Sequence, residues 1–272
     1  MNILVNGYVG KKITGIGRTL LETIEHICKI DNNIRFVMYT NYDNYDFLNY
    51  KWPSNIVIRK IPVSKNSSIL NLLYNMFVFP FKTIKEKADI IYYPNFAPIF
   101  FNFSPIVCVI HDLIEFKIKN KFSPLRVFYR KIIVPRMAKK SKIIITVSEN
   151  SKKDIIELLK QNPNKIKVVY NGVSDNFKSL EKGNRIFNFN YMLFVGTVDY
   201  PGKNIFNAIT AFEAFKNETK ENLKFIICGM KGKGFDVIDE KINTSPYKED
   251  ILYLGYVEDD KLKIIYNYAK IF

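Results

Sequence analysis

The strongest constraint on the fold is a regular alternation of short apolar strands with helical segments. NILVN, RFVMYT, IVIRKI and IVCVIHD are rich in β-branched residues and apolar on both faces. This is typical of parallel strands covered by helices. Between them lie helical stretches such as GIGRTLLETIEHICKI and Pro124 to Lys140. The pattern predicts an α/β fold with doubly wound parallel sheets.

The alternation runs as two series. The first ends at KIKVVYNG, and a polar, aperiodic stretch follows at residues 174–190. The second series runs from YMLFVG to an amphipathic helix at 259–270, after which Ile271 and Phe272 look like the start of a buried strand. We therefore predict a domain over 1–175, a linker over 176–190 and an incomplete second domain over 191–272.

Composition narrows the classes of partner. The 41 Lys and Arg against 26 Asp and Glu give a net charge of +15, which favours nucleic acid, a phosphorylated substrate or a membrane surface. Biased base composition of the gene would also enrich Lys, Asn, Ile and Tyr together. No nucleic-acid-binding motif is found, so no nucleic-acid partner is predicted. The three cysteines lie in apolar segments without disulfide or metal spacing, which indicates a reduced, cytoplasmic protein without a metal.

A glycine-rich loop joins the first strand to the first helix. Gly15 and Gly17 would let the backbone approach a ligand, and the helix N-terminus offers N–H groups to an anion. The dinucleotide fingerprint is absent, because Leu20 stands where the third glycine would be. The alternative is a turn needed only for strand–helix geometry.

Polar residues end three later strands of the first series. His111 and Asp112 follow IVCVI, where ligands bind in open α/β sheets, and Asp112 could orient the imidazole. A structural histidine beneath a loop is the alternative. Ser148 either caps a helix or lines the same crevice. Asn171 either forms a tight turn or contacts a ligand.

Two stretches suggest anion contacts. In LFVGTVDYPGKN a strand ends at Gly196, and Lys203 precedes a helix, a suitable cradle for a diphosphate. A solvated loop lysine is the alternative. The helical stretch 121–142 mixes aromatic residues with Arg126, Arg130 and other basic residues, which suits an anionic membrane surface. Alternatively, this helix packs its apolar side into the core and exposes its charged side to solvent, with no specific partner.

Taken in order, GIGR, HDL, TVSENSKKDI, YNGV, LFVGTVDYPGKN, GYVEDDKL and IYNYA resemble the retaining glycosyltransferases of family 4. These enzymes have the GT-B fold of two Rossmann-like domains. The chain is most similar in style to bacterial mannosyltransferases that build surface polysaccharides. The resemblance covers the whole chain, with each motif weak alone and the ordered set specific.

The resemblance implies a role for each candidate residue. Gly15, Gly17 and Lys203 would meet the donor diphosphate, and His111 would contact the donor sugar as the catalytic residue. Gly196, Thr197 and Val257 would line the donor and base pocket. The cleft and acceptor side would include Arg18, Asp112, Ser148 and Asn171.

Function follows from the same resemblance. The chain would move a sugar, mannose from GDP-mannose, onto a growing lipid-linked surface glycan with retention and without a metal. It would act in the cytoplasm, peripheral to the inner face of the membrane. A non-catalytic fragment or a GT-B nucleotide-sugar epimerase is the alternative.

The chain also departs from the family. Thr197 occupies the usual Arg position after the glycine, and Gly202 precedes Lys203. The PS…EGFG loop and paired glutamates that follow IYNYA in relatives are absent. We therefore expect a truncated chain that is weak or inactive.

Overall fold

The structure is a computed structural model that describes residues 1–8, 15–118, 122–174, 177 and 185–272. The chain divides into two compact units, Met1–Gly172 (unit 1) and Val173–Phe272 (unit 2). Most of the predicted linker, 176–190, lies outside the described residues.

Unit 1 contains a seven-stranded parallel sheet with the strand order β3-β2-β1-β4-β5-β6-β7. The chain order reverses between β1 and β4, so a crevice is expected at the carboxyl ends of these two strands. The strands are β1 Asn2–Asn6, β2 Arg35–Asn41, β3 Ile56–Ile61, β4 Ile90–Tyr93, β5 Ile106–Val109, β6 Ile143–Thr146 and β7 Ile166–Val168. The helices are α1 Gly15–Ile30, α2 Tyr45–Leu48, α3 Ser68–Leu73, α4 Phe79–Lys85, α5 Ile114–Lys117, α6 Pro124–Lys140 and α7 Glu149–Leu159, with a 3-10 turn at Pro163–Lys165.

Both faces of this sheet are buried. Leu4 packs into one apolar cluster with Ile106 and Val134, and its neighbour Val5 packs into another with Leu20 and Phe36. Because side chains alternate along a strand, adjacent apolar residues require helices on both sides. The predicted α/β class is confirmed, and helix α6 has the predicted limits.

One helical segment of unit 1 is not predicted by the sequence pattern. Helix α3 continues through a π-helical turn, Tyr74–Val78, into α4. Pro80 is the second residue of α4, just after the π-helical turn, and has no N–H to donate within the helical segment. The three elements form one continuous helical segment from Ser68 to Lys85.

Unit 2 contains a three-stranded parallel sheet with the order β10-β9-β8. Its strands are β8 Asn190–Val195, β9 Leu223–Cys228 and β10 Ile251–Gly255. Its helices are α8 Ile205–Thr219, α9 Phe235–Asn243 and α10 Asp259–Tyr268, with a 3-10 turn at Lys248–Asp250. Apolar clusters cover both faces of the sheet.

The last residues pair with the outer edge of β8. The N–H of Lys270 donates to Tyr191, and the N–H of Leu193 donates to Ile271, both at 2.8 Å. Ile271 thereby forms a parallel bridge with Met192, as the first residue of a strand does. The prediction that these residues are buried is wrong, since Ile271 is 57% exposed and Phe272 75%. Phe272 also contacts Tyr266 of α10, with ring centroids 4.9 Å apart.

Among the described residues, no helix combines the length and apolar character needed to span a bilayer.

Candidate functional site

A cavity of about 750 Å³ opens in unit 1 at the point where the strand order reverses. Asn6 ends β1 and Tyr8 follows it, and Asn95 to Pro98 follow β4. The remaining walls come from α3, from the π-helical turn and from the start of α6. This position is the one where open α/β sheets bind ligands, and the volume suits a sugar-sized or larger molecule.

Two arginines from α6 line the cavity and share one buried carboxylate. Nη2 of Arg126 lies 3.2 Å from Oε1 of Glu115, and Nε of Arg130 lies 3.8 Å from the same oxygen. The guanidinium of Arg130 also stacks on Phe96, with Cζ 4.1 Å from the ring centroid. Burial lowers the pKa of Arg130, while the Glu115 charge opposes this shift. An arginine keeps its charge in such surroundings, so the cavity carries more cationic than anionic charge.

These contacts correct one interpretation of the sequence. The side chain of Arg130 is only 16% exposed, and its Nη1 is buried without a hydrogen-bond partner among the described residues. Arg130 therefore cannot belong to an outward-facing basic membrane surface. It points into the wall of the cavity because Phe96 and Glu115 hold it there.

Asparagine side chains form the floor of the cavity. Nδ2 of Asn6 donates to Oδ1 of Asn75, and Nδ2 of Asn75 donates to the Asn71 carbonyl at 2.7 Å. Behind the floor, Nδ2 of Asn41, which does not line the cavity, donates to Oδ1 of Asn71 at 2.7 Å. Amide groups both donate and accept, which suits hydroxyl-rich ligands such as sugars.

His111 lies beyond β5, and its imidazole hydrogen-bonds the segment after β4. Its Nε2 lies 3.1 Å from the Pro94 carbonyl, so Nε2 carries the proton and donates. Burial lowers the pKa of His111, opposed by the Pro94 hydrogen bond and by the Asp112 charge. The neutral ring therefore presents Nδ1 as an acceptor. Asp112 accepts from the N–H of Ile114 at 3.2 Å, so Pro94 rather than Asp112 orients the ring.

The start of α7 fixes the backbone of His111. Oγ of Ser148 accepts from the N–H of Ser151 at 3.0 Å, which confirms the predicted helix cap. Oγ of Ser151 then donates to the His111 carbonyl at 3.0 Å. Ser148 caps the helix by bonding the N–H of Ser151, and the hydroxyl of Ser151 bonds the His111 carbonyl. The capping role of Ser148 is therefore compatible with a position near the crevice.

The remaining unit 1 candidates lie around the same carboxyl edge. Gly15 starts α1 and is exposed, with open space around it, and Gly17 is buried in the first turn. Arg18 is exposed on α1, and Asn171 is exposed beyond β7. Residues 9–14 of the glycine-rich loop lie outside the described residues.

In unit 2, all three strands end at glycines that pack together. The N–H of Gly196 donates to the Cys228 carbonyl at 2.9 Å, and the N–H of Gly229 donates to the Gly255 carbonyl at 2.7 Å. A Cβ on Gly229, whose φ is +144°, would lie 1.8 Å from the Gly196 carbonyl oxygen. The three glycines at the carboxyl edge of this sheet have no side chains, so a ligand can approach the backbone there closely.

Lys203 lies on a loop that pairs with the loop after β9. The N–H of Val198 donates to Met230, and the N–H of Tyr200 donates to Lys233, both at 2.9 Å. Lys203 is exposed and precedes α8 by one residue, Asn204. The second loop adds two exposed lysines, Lys231 and Lys233, just before α9. Three lysines and two helix N-termini thus belong to one pair of loops.

The other unit 2 candidates differ in exposure. Thr197 is exposed beside Gly196. Val257 is half-buried against the apolar cluster that contains Ile265. The described residues include no group of three or more His, Cys, Asp or Glu able to hold a metal ion.

Several residues of these sites are not predicted by the sequence pattern. Gly229 and Gly255 had a usable signal, because each follows an apolar strand as Gly196 does. Asn6 and Asn95 also end strands, yet only the strand order shows that they are neighbours. Glu115 had no signal, because its role depends on where α6 packs.

Comparison with known proteins identifies the class. The family model described as Glycosyltransferase Family 4 matches residues 13–177. The model described as Glycosyl transferases group 1 matches residues 175–272. The chain therefore belongs to the family 4, group 1 glycosyltransferases.

Two related proteins are also glycosyltransferases. The chain is 27% identical over 199 residues to O-antigen chain mannosyltransferase B of Escherichia coli, covering 70% of this chain and 51% of that protein. It is 28% identical over 162 residues to O-antigen chain mannosyltransferase RfbU of Salmonella typhimurium, covering 59% and 42%. The chain thus spans about half the length of these relatives or less.

A solved structure supports the fold. WaaG, a glycosyltransferase involved in lipopolysaccharide biosynthesis, superimposes with a TM-score of 0.66 at 13% identity, over 98% of this chain and 73% of WaaG. The predicted GT-B fold class is confirmed.

Proposed function

We propose that this protein transfers mannose from GDP-mannose to a lipid-linked surface glycan, with retention of configuration. Family membership and the two O-antigen mannosyltransferase relatives support this proposal. The observation that carries it is the bare glycine edge of unit 2, flanked by the lysine-bearing loops.

The edge of unit 2 suits a nucleotide-diphosphate sugar. Cleaving the bond between the sugar and the diphosphate leaves one further negative charge on the departing nucleoside diphosphate, in addition to the two that the diphosphate already carries. Lys203 and the α8 N-terminus provide positive charge without a metal, and Lys231 and Lys233 add to it. The glycines let phosphate oxygens approach backbone N–H groups. In this proposal, Thr197 and Val257 line the pocket for the rest of the donor.

The cavity of unit 1 suits the acceptor. Its asparagine amides match sugar hydroxyls, and Arg126 and Arg130 match the phosphates that join a glycan to its lipid. His111 contributes a neutral imidazole whose free Nδ1 accepts a hydrogen bond from a hydroxyl of the transferred sugar. We assign no general base, because a retaining transfer allows the departing phosphate to accept the acceptor proton.

Calorimetry with GDP-mannose tests the donor site. We expect Lys203→Ala to weaken binding by about tenfold or more, since it removes one cation from the diphosphate. Lys248→Ala is the matched control, because this exposed lysine precedes β10 at the opposite edge of the sheet. Unchanged affinity in Lys203→Ala would contradict the assignment. Tighter binding of another nucleotide sugar would contradict the choice of GDP-mannose.

A further inference from the structure

The helical segment from Ser68 to Lys85 is apolar on its outer side. Its buried side mixes the polar residues Asn71, Asn75 and Thr83, each at most 4% exposed, with the core residues Tyr74 and Phe79. Its outer side carries six apolar residues that are 44–71% exposed: Ile69, Leu70, Leu73, Phe77, Phe81 and Ile84. A helix on a water-exposed surface normally carries polar residues on its outer side. The outer side is therefore built for surroundings other than water.

A neighbouring loop extends this apolar surface. Phe100 and Phe103 are about half exposed. Phe77 stacks on Phe100 with ring centroids 6.3 Å apart, and Phe81 contacts Phe103 at 5.4 Å. We call these two residues and the six helical residues the apolar face. The ring contacts make it one continuous surface rather than scattered exposed side chains.

The charges around the apolar face are mainly positive. Two carboxylates lie just beyond α4: Glu86 is buried and faces Arg59, and Asp89 accepts from the N–H of Asn2. Lys82 and Lys85 lie on α4, and Nζ of Lys140, at the end of α6, donates to the Phe100 carbonyl. No Asp or Glu occurs from Ser67 to Lys85, from Ile90 to Ile110, or within α6. A predominantly basic border favours an anionic surface. It disfavours a second copy of the chain, because a symmetric pairing of this face would bring lysines toward lysines.

We propose that the apolar face docks unit 1 on an anionic lipid bilayer. Phenylalanine and aliphatic side chains enter the boundary between headgroups and acyl chains, while the lysines contact acidic headgroups. Ile69 belongs both to this face and to the wall of the cavity. Docking therefore brings the cavity mouth to the lipid surface, where a lipid-linked acceptor is held. Only this last step rests on the proposed function.

Co-sedimentation with vesicles tests the docking. We expect the protein to bind phosphatidylglycerol–phosphatidylcholine vesicles and to bind phosphatidylcholine vesicles much more weakly. The triple variant Phe77→Ser, Phe81→Ser and Phe103→Ser should bind about tenfold more weakly or worse, since it removes three buried rings from the lipid. The control triple Ile30→Ser, Tyr45→Ser and Tyr256→Ser, at positions elsewhere that are more exposed than the three phenylalanines, should bind as the original does.

A charge variant keeps the test independent of folding. Lys82→Gln with Lys85→Gln should weaken binding to the anionic vesicles, whereas Lys51→Gln with Lys261→Gln should not. Undiminished binding in the phenylalanine variant, or equal binding to both kinds of vesicle, overturns the proposal. Self-association that the phenylalanine variant abolishes, without vesicle binding, assigns the face to a second copy and also overturns it. The vesicle measurement needs neither donor nor sugar transfer. Its outcome is therefore independent of GDP-mannose binding, and either test can fail while the other succeeds.

Discussion

At the scale of single residues, the position of His111 is set by hydrogen bonds to both its ring and its backbone. Pro94 accepts from the imidazole, and Ser151 donates to the main-chain carbonyl. The sequence places a histidine at the end of a strand, which locates the residue but not its tautomer. The tautomer depends on Pro94, which is seventeen residues away along the chain.

The neutral state of His111 predicts a pH dependence of stability. Burial lowers its pKa in the folded chain, so the unfolded chain binds the proton first as the pH falls. The free energy of unfolding therefore decreases as the pH falls through about 6.5, and this loss ends below the folded pKa. We expect His111→Gln, which retains a donor for Pro94, to lose less stability than the original between about pH 7.5 and 5.5.

Urea unfolding at both pH values measures this difference. His26→Gln serves as the control, because that imidazole is exposed on α1, with Nδ1 at 2.8 Å from the Glu22 carbonyl. An equal loss of stability in the original protein and in His111→Gln would show that the ring is not held neutral.

At the scale of elements, Glu115 joins the short helix α5 to α6. Its buried carboxylate faces two arginines, and a lone buried cation is costly once its partner is removed. We expect Glu115→Ala to lower the free energy of unfolding by about 2–4 kcal/mol, as measured by urea unfolding. Glu157→Ala should change it by less than about 0.5 kcal/mol, because Glu157 is exposed and lies 3.9 Å from Lys153. Similar small effects for both variants would contradict the structural role of the Glu115 cluster.

The strands and long helices could be predicted because their apolar pattern has a clear period. Helix α6 and the cap of α7 agree with prediction for this reason. The segment from Ser68 to Lys85 could not be predicted by the same rule, because many of its apolar residues face outward while asparagines join Tyr74 and Phe79 on the core side. The unit 1 cavity was missed for another reason. It depends on β1 and β4 being neighbours, which the strand sequence does not state.

At the scale of the whole molecule, the two units contain separate apolar clusters. Those of unit 1 draw on residues up to Ile166, and those of unit 2 begin at Phe187. Among the described residues, the apolar clusters of the two units share no residue. A local defect in one core should therefore be felt mainly within its own unit.

Gly229→Ala provides such a defect. The new methyl group would lie 1.8 Å from the Gly196 carbonyl oxygen, and φ at +144° is unfavourable for alanine. Overpacking and backbone strain together should destabilise unit 2 by about 3 kcal/mol. Hydrogen exchange followed by mass spectrometry should then show faster exchange in peptides from 190–255 and unchanged exchange in peptides from 15–118. Gly172→Ala, at an exposed glycine with open space around it, should leave both regions unchanged. Equally faster exchange in both regions of Gly229→Ala would mean that the units unfold as one cooperative body, and that the glycine edge stabilises the whole chain rather than its own sheet.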